Sequence, residues 1–123
     1  MSVPAKPCLV LVVDDDEMIR RLVRAVLEAD EFEVAEARDG RTALHLASQA
    51  EPSVVVLDVM MPGLDGVEVC RRLDHEKGKV VVLTARDDPA LEAEARLAGA
   101  DEFMTKPFAA AELLDLVGEL IAR

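Results

Sequence analysis

The chain has no tryptophan, no tyrosine and three phenylalanines, and its basic residues are outnumbered by acidic ones. It carries 14 lysines and arginines against 25 aspartates and glutamates, for a formal net charge of -11. Nucleic-acid binding needs a basic surface, and single strands commonly stack on aromatic side chains. Direct nucleic-acid binding by this segment is therefore not expected. Divalent cations and basic protein partners suit the acidic balance better.

Cysteines and long apolar stretches are also scarce. The two cysteines, Cys8 and Cys70, do not form a disulfide framework, and neither has a neighbour at zinc-ligand spacing. No apolar stretch reaches the roughly 18 residues that span a bilayer, and no signal peptide precedes the first apolar run. We therefore expect a cytoplasmic protein without a membrane role. Residues 1–7, which contain two prolines, are expected to be disordered, and 8–123 to form one domain.

Three uninterrupted apolar runs each end abruptly in a polar residue. The runs are Leu9–Val13, Val54–Leu57 and Val80–Leu83, and they are followed by Asp14-Asp15, Asp58 and Thr84. Short continuous Val/Leu runs are typical of strands buried on both faces of a parallel sheet. Ligands of such sheets bind outside the carboxyl ends of the strands. The sequence therefore predicts that these polar side chains meet at one edge of the sheet.

Helical periodicity separates the apolar runs. One apolar stripe of the first helix is predicted to comprise Ile19, Leu22, Val23, Val26 and Leu27, with Asp16 as its N-cap. Two shorter segments of mixed character, Glu33–Glu36 and Glu102–Thr105, are predicted to be half-exposed edge strands. The fold class is therefore α/β, a doubly wound parallel sheet of five strands in the order 2-1-3-4-5 with five helices.

Four motifs occur in a fixed order along the chain. They are Val12-Val13-Asp14-Asp15, the run from Leu57 to Gly66, Leu83-Thr84-Ala85, and Gly99-Ala100-Asp101 followed by Lys106-Pro107-Phe108. Together, over roughly residues 8–122, they resemble the receiver domains of two-component response regulators, whose fold is flavodoxin-like and CheY-like. The resemblance implies phosphorelay signal transduction by a protein that is not a conventional enzyme but assists its own phosphorylation and dephosphorylation.

The resemblance also implies a phosphoacceptor and a magnesium site. Asp58 is the nucleophile that takes the phosphoryl group. The implied ligands of Mg²⁺ are Asp15, Asp58, the backbone carbonyl of Met60, and Asp14 through water. Oxygen ligands of this kind suit magnesium, which also relieves the repulsion between the carboxylates and the incoming anion.

Two further residues are assigned to the phosphoryl group by the same resemblance. Lys106 pairs with its oxygens, preceding a cis peptide bond to Pro107, and the Thr84 hydroxyl donates to it. We expect Thr84 to move towards the phosphoryl group and Phe103 to rotate inward, which repacks the face made by the fourth helix, fifth strand and fifth helix.

The resemblance also implies the partners of the chain, which are a histidine kinase or phosphotransfer protein and an output effector or attached domain. The chain itself is expected to be a monomer or a weak phosphorylation-linked dimer.

Three alternatives remain open from the residues alone. Asp14-Asp15-Asp16 contains the Asp-x-Asp pattern of magnesium-dependent phosphohydrolases of the haloacid dehalogenase type, in which Asp14 would be the nucleophile. A flavin-binding module shares the topology, but the loop after the first run lacks the small hydroxyl residues that cradle a phosphate. The third alternative is a receiver that serves as a scaffold and is never phosphorylated.

Overall fold

Strands and helices alternate along the part of the chain that the computed structural model describes, residues 8–63 and 65–123. The strands are Leu9–Val13 (β1), Glu33–Ala37 (β2), Val54–Leu57 (β3), Lys79–Thr84 (β4) and Glu102–Thr105 (β5). The helices are Glu17–Ala29 (α1), Gly40–Ala50 (α2), Gly66–Arg72 (α3), Pro89–Leu97 (α4) and Ala110–Ala122 (α5). The disorder expected for residues 1–7 falls outside the described residues.

All strand pairs are parallel, and the order is β2-β1-β3-β4-β5, which confirms the predicted topology. The central strands β1, β3 and β4 are buried along almost their whole length, whereas every residue of β5 is half-exposed. Edge strands have a hydrogen-bonded neighbour on one side only, which explains why β2 and β5 tolerate mixed sequences.

Two apolar layers cover the sheet because alternate residues of each strand point to opposite faces. Val10 and Val12 pack with α1 and α5, while Leu11 and Val13 pack with α2, α3 and α4. All four of these β1 side chains are almost completely shielded from solvent. The polar residues that follow β1, β3 and β4 are therefore held by the most deeply buried strands of the sheet.

One predicted core position of α1 is wrong. Val23 and Leu27 are fully buried, but Leu22 keeps 52% of its surface exposed. Each helical residue is rotated by about 100° from the last, so Leu22 lies beside the stripe that faces the sheet. The helix leaves Leu22 on the surface, one turn after the loop that contains Asp14 and Asp15.

Aspartates begin four of the helices. The side chains of Asp16, Asp39, Asp65 and Asp88 accept hydrogen bonds from the first-turn amides of α1, α2, α3 and α4. Such caps satisfy N–H groups that have no partner within the helix. The cap at Asp16 confirms its predicted role. Asp16 therefore acts as a helix cap, in contrast to Asp14 and Asp15, for which the sequence predicts a role in the site.

Candidate functional site

Two aspartates lie side by side at the carboxyl ends of adjacent central strands. The Asp58 N–H donates to the Val13 carbonyl at 2.9 Å, and the Asp14 N–H donates to the Ala37 carbonyl at 3.1 Å. These bonds extend the sheet by one residue beyond each strand. Only 3% of Asp14 and 5% of Asp58 are exposed. Two acids this deeply buried need compensating partners.

A lysine from the far side of the sheet compensates both carboxylates. Lys106 follows β5, and its Nζ lies 2.7 Å from Asp14 Oδ2 and 3.3 Å from Asp58 Oδ2. Its backbone N–H donates to the Thr84 carbonyl at 2.7 Å. The peptide bond between Lys106 and Pro107 is cis, as the family resemblance implies. The chain thus brings together residues 92 positions apart.

The lysine remains charged in this setting. Burial of the ammonium group is the largest single influence and lowers the pKa of Lys106, but the hydrogen bond that Lys106 donates to Asp14 and the charge of Asp58 act in the opposite direction. Their combined effect raises the pKa above its ordinary value. A permanent positive charge between two buried carboxylates reduces their mutual repulsion.

Each carboxylate is also oriented by its own loop. Asp14 Oδ1 accepts from the Asp16 N–H at 2.9 Å, and Asp58 Oδ1 accepts from the Met60 N–H at 2.8 Å. The second oxygen of each side chain faces the lysine. Asp14 therefore has both oxygens in short hydrogen bonds, whereas the contact between Asp58 Oδ2 and Lys106 is the longer of the two.

A third carboxylate completes an acidic cluster. Oxygens of Asp14, Asp15 and Asp58 lie within 4.8 Å of one another, and Asp15 is exposed while the other two are buried. Three converging carboxylates with one open side are the ligands a hard divalent cation prefers. Met60 follows in the same loop with an exposed side chain. The donor set therefore fits magnesium.

Thr84 and Phe103 occupy the side of the site nearer to β5. Thr84 ends β4 with a fully buried side chain, and its Oγ1 accepts from the Arg86 N–H at 3.4 Å. Phe103 lies opposite Val82 in the β4–β5 register. It is half-exposed and packs against the layer that contains α4. A hydroxyl at the site and a half-buried ring are thus placed on adjacent strands.

Sequence reasoning missed two residues that support the site. The Arg20 guanidinium of α1 donates to the Asp14 carbonyl at 2.8 Å, a contact that no local pattern reveals. Gly66 begins α3 so close to the loop after β3 that a Cβ there would lie 2.2 Å from Val59 Cα. Gly66 is the last residue of the motif that begins at Leu57, but the motif gave it no role of its own.

Comparison with known proteins places this chain in a family. The family model "Response regulator receiver domain" matches residues 10–118. A doubly wound five-stranded sheet that holds an acidic cluster and a lysine at its carboxyl edge defines a phosphorelay receiver, and the chain belongs to the response regulator receiver domain family.

Relatives of known name support this membership. Response regulator MprA of Mycolicibacterium vanbaalenii is 45% identical over 119 residues, covering 95% of this chain and 52% of the relative. Transcriptional regulatory protein ResD of Bacillus subtilis is 38% identical over 115 residues, covering 93% and 48%. The chain thus spans about half the length of these curated relatives.

Solved structures agree on the fold. Chemotaxis protein CheY4 of Vibrio cholerae is 31% identical with a TM-score of 0.87, covering 94% of this chain and 99% of that one. The Francisella response regulator 1452 receiver domain is 34% identical with a TM-score of 0.86, covering 96% of this chain and 98% of that one.

Within the described segments, every helix of this chain falls short of the length and apolar character that a bilayer crossing requires.

Proposed function

We propose that Asp58 accepts a phosphoryl group from a phosphohistidine of a partner protein. The observation that supports this choice most directly is the unequal contact of Lys106, which lies closer to Asp14 than to Asp58. One oxygen of Asp58 is held by the Met60 amide, which fixes the side chain. The other oxygen is the less tightly engaged one and is available for attack.

The transfer is a substitution at phosphorus. The Asp58 oxygen forms a bond to phosphorus while the bond from phosphorus to the imidazole nitrogen breaks, and the electron pair stays on that nitrogen. The product is an acyl phosphate on Asp58. Lys106 is placed to pair with the phosphoryl oxygens, and the Thr84 hydroxyl is placed to donate to them. Positioning and charge stabilisation of this kind account for most catalysis of phosphoryl transfer.

Magnesium is the proposed cofactor. Asp15, Asp58 and the Met60 carbonyl would hold it directly and Asp14 through water, which agrees with the convergence of the three carboxylates. When bound, the ion supplies positive charge that offsets the phosphoryl oxygens and the acidic cluster.

The hydrogen bonds of Asp14 do not favour the phosphohydrolase alternative, in which this residue would attack phosphorus. Its Oδ1 accepts the Asp16 amide and its Oδ2 accepts Lys106 at 2.7 Å. Whichever oxygen attacked would first have to give up a short hydrogen bond. Asp14 is better suited to hold the lysine and to bind the hydrated cation.

Exposed apolar side chains lie on the segments that follow the acidic residues of the site. Met18 and Leu22 on the first turns of α1, together with Met60 after Asp58, are exposed large hydrophobic residues. A partner that presents a phosphohistidine must cover this region, and apolar side chains are a favourable part of such an interface. We propose a histidine kinase or phosphotransfer protein as that partner.

The output is proposed to leave through the face formed by α4, β5 and α5. Phosphorylation would draw Thr84 towards the phosphoryl group, and Phe103 would move into the space vacated. A strand whose residues are all half-exposed is less strongly anchored than the central strands, and weakly anchored elements rearrange most readily. An output effector, or an attached output domain, would recognise the repacked face.

Chemical labelling tests the proposal. Incubation with acetyl phosphate and Mg²⁺ should add one phosphoryl group to the protein, and borohydride reduction followed by peptide mass spectrometry should locate it at Asp58. The Asp58→Asn variant should show no mass gain, and removal of Mg²⁺ should suppress labelling. Labelling of Asp14, or equal labelling of Asp58→Asn, would overturn the assignment. A folded protein that takes no label would support the scaffold alternative instead.

A further inference from the structure

Two arginines on the connection between β2 and α2 have no acidic partner. Arg38 and Arg41 are exposed, and every other arginine within residues 8–63 and 65–123 forms an ion pair. The carboxylate between them, Asp39, is engaged elsewhere, because its Oδ1 accepts from the Thr42 N–H at 2.8 Å. Two cations in a chain of net charge -11 are therefore left without a counterion on one short connection.

This connection lies at the same edge of the sheet as the acidic cluster. Ala37 ends β2, and its carbonyl accepts from the Asp14 N–H at 3.1 Å, so Arg38 directly follows a residue that is bonded to the site. Val13 of β1 is the shared partner of Ala37 on β2 and Leu57 on β3. Neighbouring strands lie about 4.8 Å apart, which places the backbone of Arg38 about 10 Å from that of the proposed phosphoacceptor.

The site must attract an anion although it is itself acidic. Three carboxylates converge there, and in the described segments Lys106 is the one cation that pairs with any of them. Bound magnesium would offset this excess of negative charge but would leave little net attraction for a phosphoryl donor. After β4, on the other side of the site, Arg86 is already paired with Asp88 at 3.3 Å. Arg38 and Arg41 are therefore the cations best placed to attract a donor to this edge.

We propose that Arg38 and Arg41 steer small anionic phosphodonors, such as acyl phosphates, towards Asp58. This inference rests on the proposed function, because it concerns how the donor reaches that residue. Both arginines act at a distance and neither is a catalytic residue. Positive charges about 10 Å from the reacting group raise the encounter rate of a small anion. Salt removes the effect, because the Debye length falls from about 10 Å at 0.1 M to about 3 Å at 1 M.

The test measures phosphorylation by acetyl phosphate with Mg²⁺ at saturation, followed by the mass of the intact protein. In the double variant Arg38→Gln with Arg41→Gln, the second-order rate constant should fall at least about threefold at low ionic strength and match the wild type at about 1 M salt. The rate at saturating donor should be unchanged, because steering affects encounter and not transfer. The double variant Arg38→Lys with Arg41→Lys keeps both charges and should react like the wild type.

The matched control is Lys77→Gln with Lys79→Gln, which removes the same amount of charge at the opposite edge of the sheet. Lys79 begins β4 and Thr84 ends it, so about 16 Å of extended strand separates this lysine from the site. The control should react at close to the wild-type rate. Circular dichroism checks that all the variants fold.

Three results would overturn the proposal. Equal slowing of the two glutamine double variants would show an effect of net charge alone. An unchanged rate in the arginine-to-glutamine variant, or an equally slow arginine-to-lysine variant, would show that these charges do not steer the donor. Weaker Mg²⁺ binding by the arginine-to-glutamine variant would show a damaged site, because removing nearby cations should leave Mg²⁺ affinity as high as in the wild type or higher.

The same experiment separates this proposal from the preceding one. A wild-type protein that takes no label on Asp58 would refute the proposed function and the steering together. Labelling of Asp58 at equal rates in wild type and variants would refute the steering alone.

Discussion

The two edges of the sheet are supported in different ways. At β2, Glu36 accepts from Arg20 at 3.0 Å and also pairs with Arg24, and both arginines come from α1. At β5, Glu102 pairs with Arg123 at 3.2 Å and lies 3.9 Å from Arg96. The side chain of Arg20 is 14% exposed, whereas that of Arg123 is 42% exposed. Ion pairs sheltered from water are the stronger structural restraint.

This difference separates a fixed edge from an adaptable one. Arg20 binds Glu36 and the Asp14 carbonyl at once, so the β2 edge and the acidic cluster are held as one unit. The β5 edge carries Phe103 and leads directly into Lys106. A change at the proposed phosphoacceptor can therefore reach β5 through the lysine while β2 and the proposed metal ligands stay in place.

The largest expected effect comes from removing the sheltered arginine. Arg20→Met should lower the free energy of unfolding by about 2 kcal/mol, because Glu36 loses a charged partner and the Asp14 carbonyl loses a donor. The matched substitution at the other edge, Arg123→Met, removes solvent-exposed pairs and should leave the stability unchanged. Urea unfolding monitored by far-ultraviolet circular dichroism measures both.

Equal losses in the two variants would show that the edges are supported alike, and the comparison would fail. Magnesium affinity offers a second measure. Arg20→Met should weaken binding of Mg²⁺ because the backbone of Asp14 is less well fixed, whereas Arg123→Met should not affect it.

The acidity of Glu36 gives a prediction of intermediate size. Burial is the largest single influence and raises the pKa of Glu36, but the hydrogen bonds from Arg24 and Arg20 outweigh it and bring the pKa below its ordinary value of 4.5. A lowered pKa in the folded state means that the ionised group stabilises the fold above about pH 4.5 and that this contribution is lost as the pH falls through the folded-state pKa. Glu36→Gln should therefore cost about 1 kcal/mol at neutral pH and nothing in acid.

Urea unfolding of wild type and variant at neutral pH and at a pH below the folded-state pKa of Glu36 measures that difference. Glu33→Gln is the control, since Glu33 is exposed on the same strand and should have no effect at either pH. A Glu36→Gln penalty that persists unchanged in acid would show that the side chain acts by packing and not by charge.

Much of this molecule could be predicted from its sequence, because the strongest signals are local. The apolar runs before Asp14, Asp58 and Thr84 gave the strands, and parallel topology then required their ends to meet. Lys106 could be placed at the site only through the resemblance, since no local pattern brings it 92 positions back to Asp14. Arg20 was missed and Leu22 was misplaced for a related reason: both depend on how α1 is rotated against the sheet.

The smallest expected effect is spectroscopic and tests the adaptable edge directly. The chain has three phenylalanines, so para-fluorophenylalanine labelling gives three ¹⁹F signals, which single Phe→Leu variants can assign. Phe103 lies on β5, and Phe32 immediately precedes β2. Adding beryllofluoride and Mg²⁺ should shift the Phe103 signal, because its ring repacks, and leave the Phe32 signal in place.

Asp58→Asn provides the control, because it removes the carboxylate to which beryllofluoride would attach and should abolish the shift. A shift of Phe32 as large as that of Phe103 would mean that the whole sheet responds and that α1 does not fix the β2 edge. A stationary Phe103 signal in a protein that binds beryllofluoride would mean that β5 transmits the change without this ring. The route would then have to pass from Thr84 to α4, whose N-cap Asp88 already contacts Arg86 at 3.3 Å.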